Sequence, residues 1–433
     1  MPRVRRLYSD PTTAPVRRRE LAAWAGFDFA NSGYTTVVIT AIFSAYFVGA
    51  VAGDAPWATF AWTAALSVSY ALVMAMAPLL GLYADAHAAK KRLLAFTTLA
   101  CGAGTAALWF CEPGDVALAL LLIVLTNTAF GTGENLIAAF LPELASENGM
   151  GRLSGYGWAL GYVGAVLLLA LCLFWVQGAD ARGSSTGVAV RETMLFTAAT
   201  VVLAALPTFL LLKERIRPAP RPFAALWQDS LVRWRQVLGG ASDLPQLRRF
   251  LACILAYQAG VGIVIAVAAI YTQQELGFTV AQSIQLILVV NVTAALGAFA
   301  FGQLQDRIGH RPMLTVALVG WLLAIVLLAS SKAPAVVWLA ANLAGVCMGA
   351  SQSAGRALVG LLCPPRREAE VFGLWGLAVK GSMIIGPLAY GVISWLSGGD
   401  HTAAMLSTGL FFIAGIALLY RVDVAQGRRE ALA

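Results

Sequence analysis

Four ionisable side chains interrupt the apolar stretches of this 433-residue chain: Asp28, Glu134, Arg356 and Lys380. Charge at membrane depth is expensive and is kept where it binds, couples or conducts, so each is a candidate for handling a substrate or an ion. Glu134 and Arg356 each lie eight residues before a proline, Pro142 and Pro364, and this match predicts that they pair across a central cavity. Alternatively, Asp28 or Glu134 takes up a proton as its surroundings change, while Lys380 holds an anionic group such as a carboxylate. The competing reading is a fixed ion-pair network that only orients helices. Asn31, Tyr34, Asn135, Tyr257, Gln258 and Gln352 lie on the same stretches. A few placed polar groups among apolar walls make a small-molecule pocket, although small and polar residues also serve helix packing in membranes.

Those side chains need helices to carry them. Hydrophobic residues form 59% of the chain and charged residues 12%, against about a quarter charged in ordinary soluble domains. A bilayer-crossing helix needs about 20 mostly apolar residues, and twelve such stretches lie between charged or Gly/Pro-containing breaks. The predicted fold is an all-α membrane protein, with twelve transmembrane helices in two pseudo-symmetric six-helix bundles. The expected order is a basic N-terminus (1–22), a first bundle (23–212), a cytoplasmic linker (213–248), a second bundle (249–421) and a cytoplasmic tail (422–433).

The net charge of +8 is spread by loop rather than gathered in a patch, which argues for orientation in a membrane and against nucleic acid. With both termini cytoplasmic, the outer loops hold only Arg182, Arg191 and Lys332. Arg356 and Lys380 lie within spans, and the other 25 of the 30 basic residues face the cytoplasm. An extra span would invert every later loop, so this asymmetry supports the count and predicts a multi-pass protein of the cell inner membrane. The six cysteines stand singly, without metal-ligand or disulfide spacing, and neither metal nor cofactor is expected. Ala50-Val51-Ala52 resembles a signal-peptidase site, but the segment before it is too long and contains Asp28 and Asn31. It reads as an intact first helix.

The chain repeats itself. Gly81-Leu82-Tyr83-Ala84-Asp85 after the second stretch matches Gly302-Gln303-Leu304-Gln305-Asp306 after the eighth at an offset of 221 residues, and Gly155 and Gly373 stand at matching places near the starts of the fifth and eleventh. Repeats of six helices build a central site between halves that rock against each other. The linker carries apolar and aromatic residues at helical spacing from Phe223 to Leu238, with arginines between. This suits a helix lying on the inner leaflet, whose plainer role is to cover the bundle.

Gly302 to Arg311 has the form G-x-x-x-D-R-x-G-x-R between two apolar spans, and is similar to the signature loop of the major facilitator superfamily. Its glycines permit close helix approach. Asp306 is expected to pair with Arg307, with Arg311 or with the end of a neighbouring helix when the inner side is closed. In the first copy, Ala86 and Ala88 replace the expected arginine and glycine, while Asp85 and Lys90-Lys91-Arg92 remain. Asp85, Arg92, Gly302, Asp306, Arg307 and Arg311 are therefore gating candidates.

A narrower resemblance rests on Trp24 to Val38, on Asn135 with Phe140-Leu141-Pro142-Glu143, on Arg152 to Tyr162, and on Phe372-Gly373 through Lys380 to Gly386-Pro387. These segments resemble the bacterial "unknown major facilitator" group, relatives of the fungal vacuolar amino-acid effluxers. The resemblance implies a cavity lined by the first, fourth, seventh and tenth helices, and export of amino acids or similar metabolites. Tyr257-Gln258-Ala259-Gly260 departs from the family's acidic residue before the glycine.

A membrane enzyme fits poorly. His87, His310 and His401 read as loop residues, and no H-E-x-x-H cluster or phosphate-binding G-x-x-x-x-G-K-[ST] loop is present. A substrate sensor that has lost transport lacks a soluble domain to pass on a signal. The expected function is proton-linked secondary transport of a small polar metabolite, with amino acids or peptides ahead of sugars and organic anions.

Overall fold

The computed structural model describes residues 16–432 except 54, 217, 240–243, 275–279 and 398–400. The start of the basic N-terminus therefore lies outside the described residues, as do the side chains of Arg233, Trp234 and Arg235 in the linker. Among the described residues, twelve helices are long and apolar enough to cross a membrane: α1 (Arg18–Val51), α2 (Phe60–His87), α3 (Lys90–Phe110), α4 (Val116–Leu144), α5 (Met150–Gln177), α6 (Thr186–Leu211), α7 (Pro245–Ile265), α8 (Gln285–Ile308), α9 (His310–Ser330), α10 (Pro334–Leu361), α11 (Glu368–Tyr390) and α12 (Ala403–Tyr420).

Several helices run further than hydropathy suggests. His87 closes α2 and His310 opens α9, so neither is a loop residue. Likewise α5 and α11 begin at Met150 and Glu368, a turn before their apolar stretches, placing Gly155 and Gly373 five residues inside each helix. These polar first turns are held by contacts with the opposite half, described below. In α1, Thr35–Ala41 is wound as a π-helix, and it includes a run of β-branched residues that crowd an ordinary α-turn. Thr40 returns its hydroxyl to the Thr35 carbonyl five residues back, at 3.0 Å.

The two halves meet along α5 with α8 and α10, and along α2 and α4 with α11. Backbones there approach closely through small residues. A Cβ on Gly302 would lie 2.7 Å from the Gly155 Cα, and one on Gly81 would lie 2.7 Å from the Glu370 Cα. Gly81 and Gly302 are repeat mates, and each lies against the start of a helix in the opposite half. Interfaces in lipid gain from such close packing because apolar contact alone confers little preference there.

The linker is pinned where it leaves α6. Glu214 accepts the Lys90 and Lys91 backbone N–H groups at 2.8 and 3.3 Å, and Lys91 donates to the Leu212 carbonyl at 2.7 Å. Burial raises the Glu214 carboxyl above its ordinary pKa, against the pull of those N–H groups and of Lys90. Arg215 reaches Glu20 at 2.7 Å. The linker helix Phe223–Gly239 packs on α2 and leaves Phe223, Trp227 and Leu231 exposed, as suits a helix facing a bilayer surface. The C-terminal helix Val424–Leu432 packs against α7, where Gln246 bonds Gln426, Glu430 and Asp423.

Candidate functional site

The four membrane charges converge on the seam between the halves, but not in the expected pairing. Lys380 of α11 donates to Glu134 of α4 at 2.7 Å, and Arg356 of α10 lies 2.7 Å from the Asp28 carboxylate of α1. Glu134 and Arg356 are thus not partners: each is matched by a charge from a helix that repeat symmetry does not relate to the other. Both acids belong to the first half and both bases to the second. The side chains of Glu134 and Asp28 remain 21% and 13% exposed, those of Lys380 and Arg356 8% and 3%.

Aromatic faces enclose the cations. The Lys380 ammonium lies 5.7 Å from the Tyr70 ring centre and 5.6 Å from Phe130, while the Arg356 guanidinium lies 4.9 Å from Trp24 and 5.1 Å from Trp158. Such faces stabilise a cation that has lost water. Arg356 also donates to the Ser154 hydroxyl at 3.1 Å and to its carbonyl at 2.9 Å. Gly157 makes room for the Asp28–Arg356 pair, because a Cβ there would run into both partners.

Where the helices of the halves meet at their linker-side ends, the two signature aspartates act alike. Asp306 accepts the Gly151 and Arg152 backbone N–H groups at 2.9 and 3.0 Å, and Asp85 accepts those of Ala369 and Glu370 at 3.1 and 3.0 Å. Each carboxylate therefore sits on the first turn of a helix in the opposite half, where unpaired N–H groups and the helix dipole favour negative charge. Of the three partners expected for Asp306, the helix end is found. Arg311 instead donates to the Tyr420 carbonyl at 3.0 Å within its own half. Arg92 and Arg307 are exposed and form no ion pair among the described residues.

A buried cation completes this closed end. Lys90 is bonded to Glu143, lies 3.5 Å from Glu368 across the seam and 3.9 Å from Asp85. The Glu143 carboxylate also accepts the Arg215 backbone N–H at 3.0 Å, which joins the linker to the same cluster. Nearby, burial drives the Cys363 thiol well above its ordinary pKa. In the sequence Lys90 stands only as a remnant of the loop motif, and Glu368 belongs to no motif. The available signal was the pattern of single acids at the starts and ends of spans.

The remaining pocket candidates divide. Asn135 is buried against Gly376 of α11 with its Oδ1 unpartnered, and so reaches the seam. Asn31 is half-buried on α1. Gln258 donates to Gln352 at 2.6 Å, tying α7 to α10. Tyr34 bonds Thr126 at 2.8 Å and stacks on Phe130 inside the first half. Tyr257 packs against Gly355 and Gly415 inside the second. Among the described residues, no group of three or more His, Cys, Asp or Glu is placed to hold a metal ion.

Comparison with known proteins agrees with this architecture. The chain is 27% identical over 419 residues to the uncharacterized MFS-type transporter YxiO of Bacillus subtilis, covering 94% of this chain and 97% of that one. It is 26% identical over 309 residues to autophagy-related protein 22-1 of Neosartorya fischeri, an alignment spanning 65% of this chain and about half (49%) of the fungal protein. The fold superposes on the human organic anion transporter MFSD10 with a TM-score of 0.72 at 17% identity, covering 94% of this chain and all of that one. The family described as "Vacuole effluxer Atg22 like" matches residues 58–152 and 148–432. With its twelve spans, its paired halves and its duplicated loop, the chain belongs to that Atg22-like family of major facilitator transporters.

Proposed function

We propose that this transporter carries a small zwitterionic metabolite, an amino acid or short peptide, by proton-linked alternating access. The observation that carries the reading is the polarity of the seam, with Asp28 and Glu134 on one half and Arg356 and Lys380 on the other. A substrate bearing both a carboxylate and an ammonium group replaces both kinds of partner at once. Its carboxylate is taken by Lys380 or Arg356, and its ammonium by Glu134 or Asp28. Protonation of either acid releases its cation for the substrate, which couples proton and metabolite in one cluster. Asn135, which reaches the seam, and the Gln258–Gln352 pair, one helical turn from Arg356 on α10, act as orienting groups.

Asp85 and Asp306 act as paired gates, each releasing the other half's helix as that end opens. The basic bias of the linker-side loops supports an inner-membrane location with both termini cytoplasmic, so that the closed end faces the cytoplasm. Net export is favoured by membership of a family named for effluxers. Fold alone does not assign substrate. The deciding experiment is thermal stabilisation of the purified protein by amino acids, dipeptides, sugars and organic acids at two pH values, since a ligand of the native state stabilises it by mass action. A pH-dependent amino-acid response lost in Lys380→Ala is expected. A response confined to sugars or dicarboxylates removes the zwitterion assignment.

A further inference from the structure

Away from the four membrane charges, a crevice of about 700 Å³ opens beside the first turns of α1 and α5. Arg18 and Arg152 line its mouth, and both are exposed. Among the described residues neither forms an ion pair, although the Arg152 charge is felt by Asp306. The other charged lining groups are committed elsewhere, Arg215 to Glu20 and Glu143 to Lys90. The charge offered at the mouth is therefore positive.

The deeper wall is apolar. Tyr156, Leu160 and Val163 on α5 are 36, 39 and 41% exposed, and Phe299 of α8 stacks on Tyr156 with ring centres 5.7 Å apart. From Gly149 to Val163 the crevice follows α5 for about 20 Å at the helical rise, running from the end of the span toward the middle of the bilayer. A basic mouth above a long apolar wall at membrane depth selects a molecule with an anionic head and an acyl tail. Basic pockets at the membrane boundary take lipid phosphates in this way.

We propose that one anionic phospholipid occupies this crevice, its phosphate between Arg18 and Arg152 and an acyl chain along α5 against Phe299. Because α5 belongs to the first half and Phe299 to the second, the lipid lies across the seam and favours the arrangement in which α5 and α8 touch. This site is separate from the charge cluster and does not depend on the substrate.

The test uses the full-length protein in neutral detergent. Phosphatidylglycerol, phosphatidylcholine with the same chains, and inorganic phosphate are titrated in turn, with bound lipid counted by native mass spectrometry and unfolding followed thermally. One phosphatidylglycerol should be retained with a rise in unfolding temperature, phosphatidylcholine several-fold more weakly, and phosphate alone should have no effect. Arg18→Gln with Arg152→Gln should weaken retention on the order of thirtyfold, the contribution of two surface arginines. Arg421→Gln with Arg429→Gln, an equal loss of charge at two exposed residues that do not line the crevice, should leave it unchanged. Ala159→Trp fills the apolar wall without touching either arginine and should abolish retention, which keeps the test decisive should the double variant fail to fold. Equal retention of the two lipids, undiminished retention in the arginine or tryptophan variants, or an equal shift with phosphate alone overturns the proposal.

Discussion

Asp85 and Asp306, 221 residues apart in the chain, each hold the first turn of a helix in the opposite half by accepting two backbone N–H groups. The contact is made by the carboxylate alone and asks nothing of the residues around it. It exists only while the halves are together at that end, which makes its removal a test of conformation rather than of folding.

Asp85→Asn and Asp306→Asn should each weaken this closed end by about 1 kcal/mol, a shift of roughly fivefold toward the open arrangement. The readout is maleimide labelling of a cysteine placed at Ser353, which is buried at the seam, against a background of six buried native cysteines. Labelling should rise in both variants and further in the double. No increase in either variant would show that the contacts do not hold the end shut.

Removing one member of the Glu134–Lys380 pair leaves its partner stranded. Glu134→Gln or Lys380→Met should destabilise by about 2 kcal/mol, less than the 3–5 kcal/mol of a fully buried pair because the Glu134 side chain keeps 21% exposure. The double change should recover most of the melting temperature while transport stays absent. Recovery of transport as well would reduce the pair to a scaffold. A Glu134/Arg356 charge swap should rescue nothing.

Gly302→Val places a side chain against the Gly155 backbone and should destabilise the closed arrangement by about 1–3 kcal/mol. Gly26→Ala is the matched control, since a Cβ there meets nothing within 4 Å. Thermal unfolding of both variants checks this. Equal melting temperatures would contradict the close approach of α5 and α8.

Lys90→Met strips the cation from between Glu143, Glu368 and Asp85. With Lys90 fully buried, the expected loss is about 3–5 kcal/mol, visible as a collapse of monodisperse yield. Adding Glu143→Gln should restore part of it by removing one of the repelling acids. Wild-type behaviour of the single variant would argue that the cluster contributes nothing to stability.

Much of the fold was legible because the bilayer imposes it. Stretches of fixed length and low charge mark the spans, and the 221-residue offset marks the halves. What hydropathy could not show was which way each helix turns its charge. Glu134 and Arg356 are matched by the repeat, yet α11 brings Lys380 to the first and α1 brings Asp28 to the second. Helix orientation about its own axis decides such pairs, and no spacing rule encodes it across helices far apart in sequence. Asp85 stood out in the sequence despite the decay of the loop around it. Its neighbours Ala86 and Ala88 are altered, but helix capping needs only the carboxylate. The polar first turns of α5 and α11 escaped notice because their partners lie in the other half.

The sorting of acids to one half and bases to the other has a consequence for leakage. Parting the halves at these four residues with nothing between them leaves two carboxylates and two cations without counter-charge in a poorly solvated space, a state several kcal/mol uphill. The unloaded protein is therefore electrostatically latched, and under the proposed function slippage of one partner without the other is opposed by the same contacts that are proposed to receive the cargo.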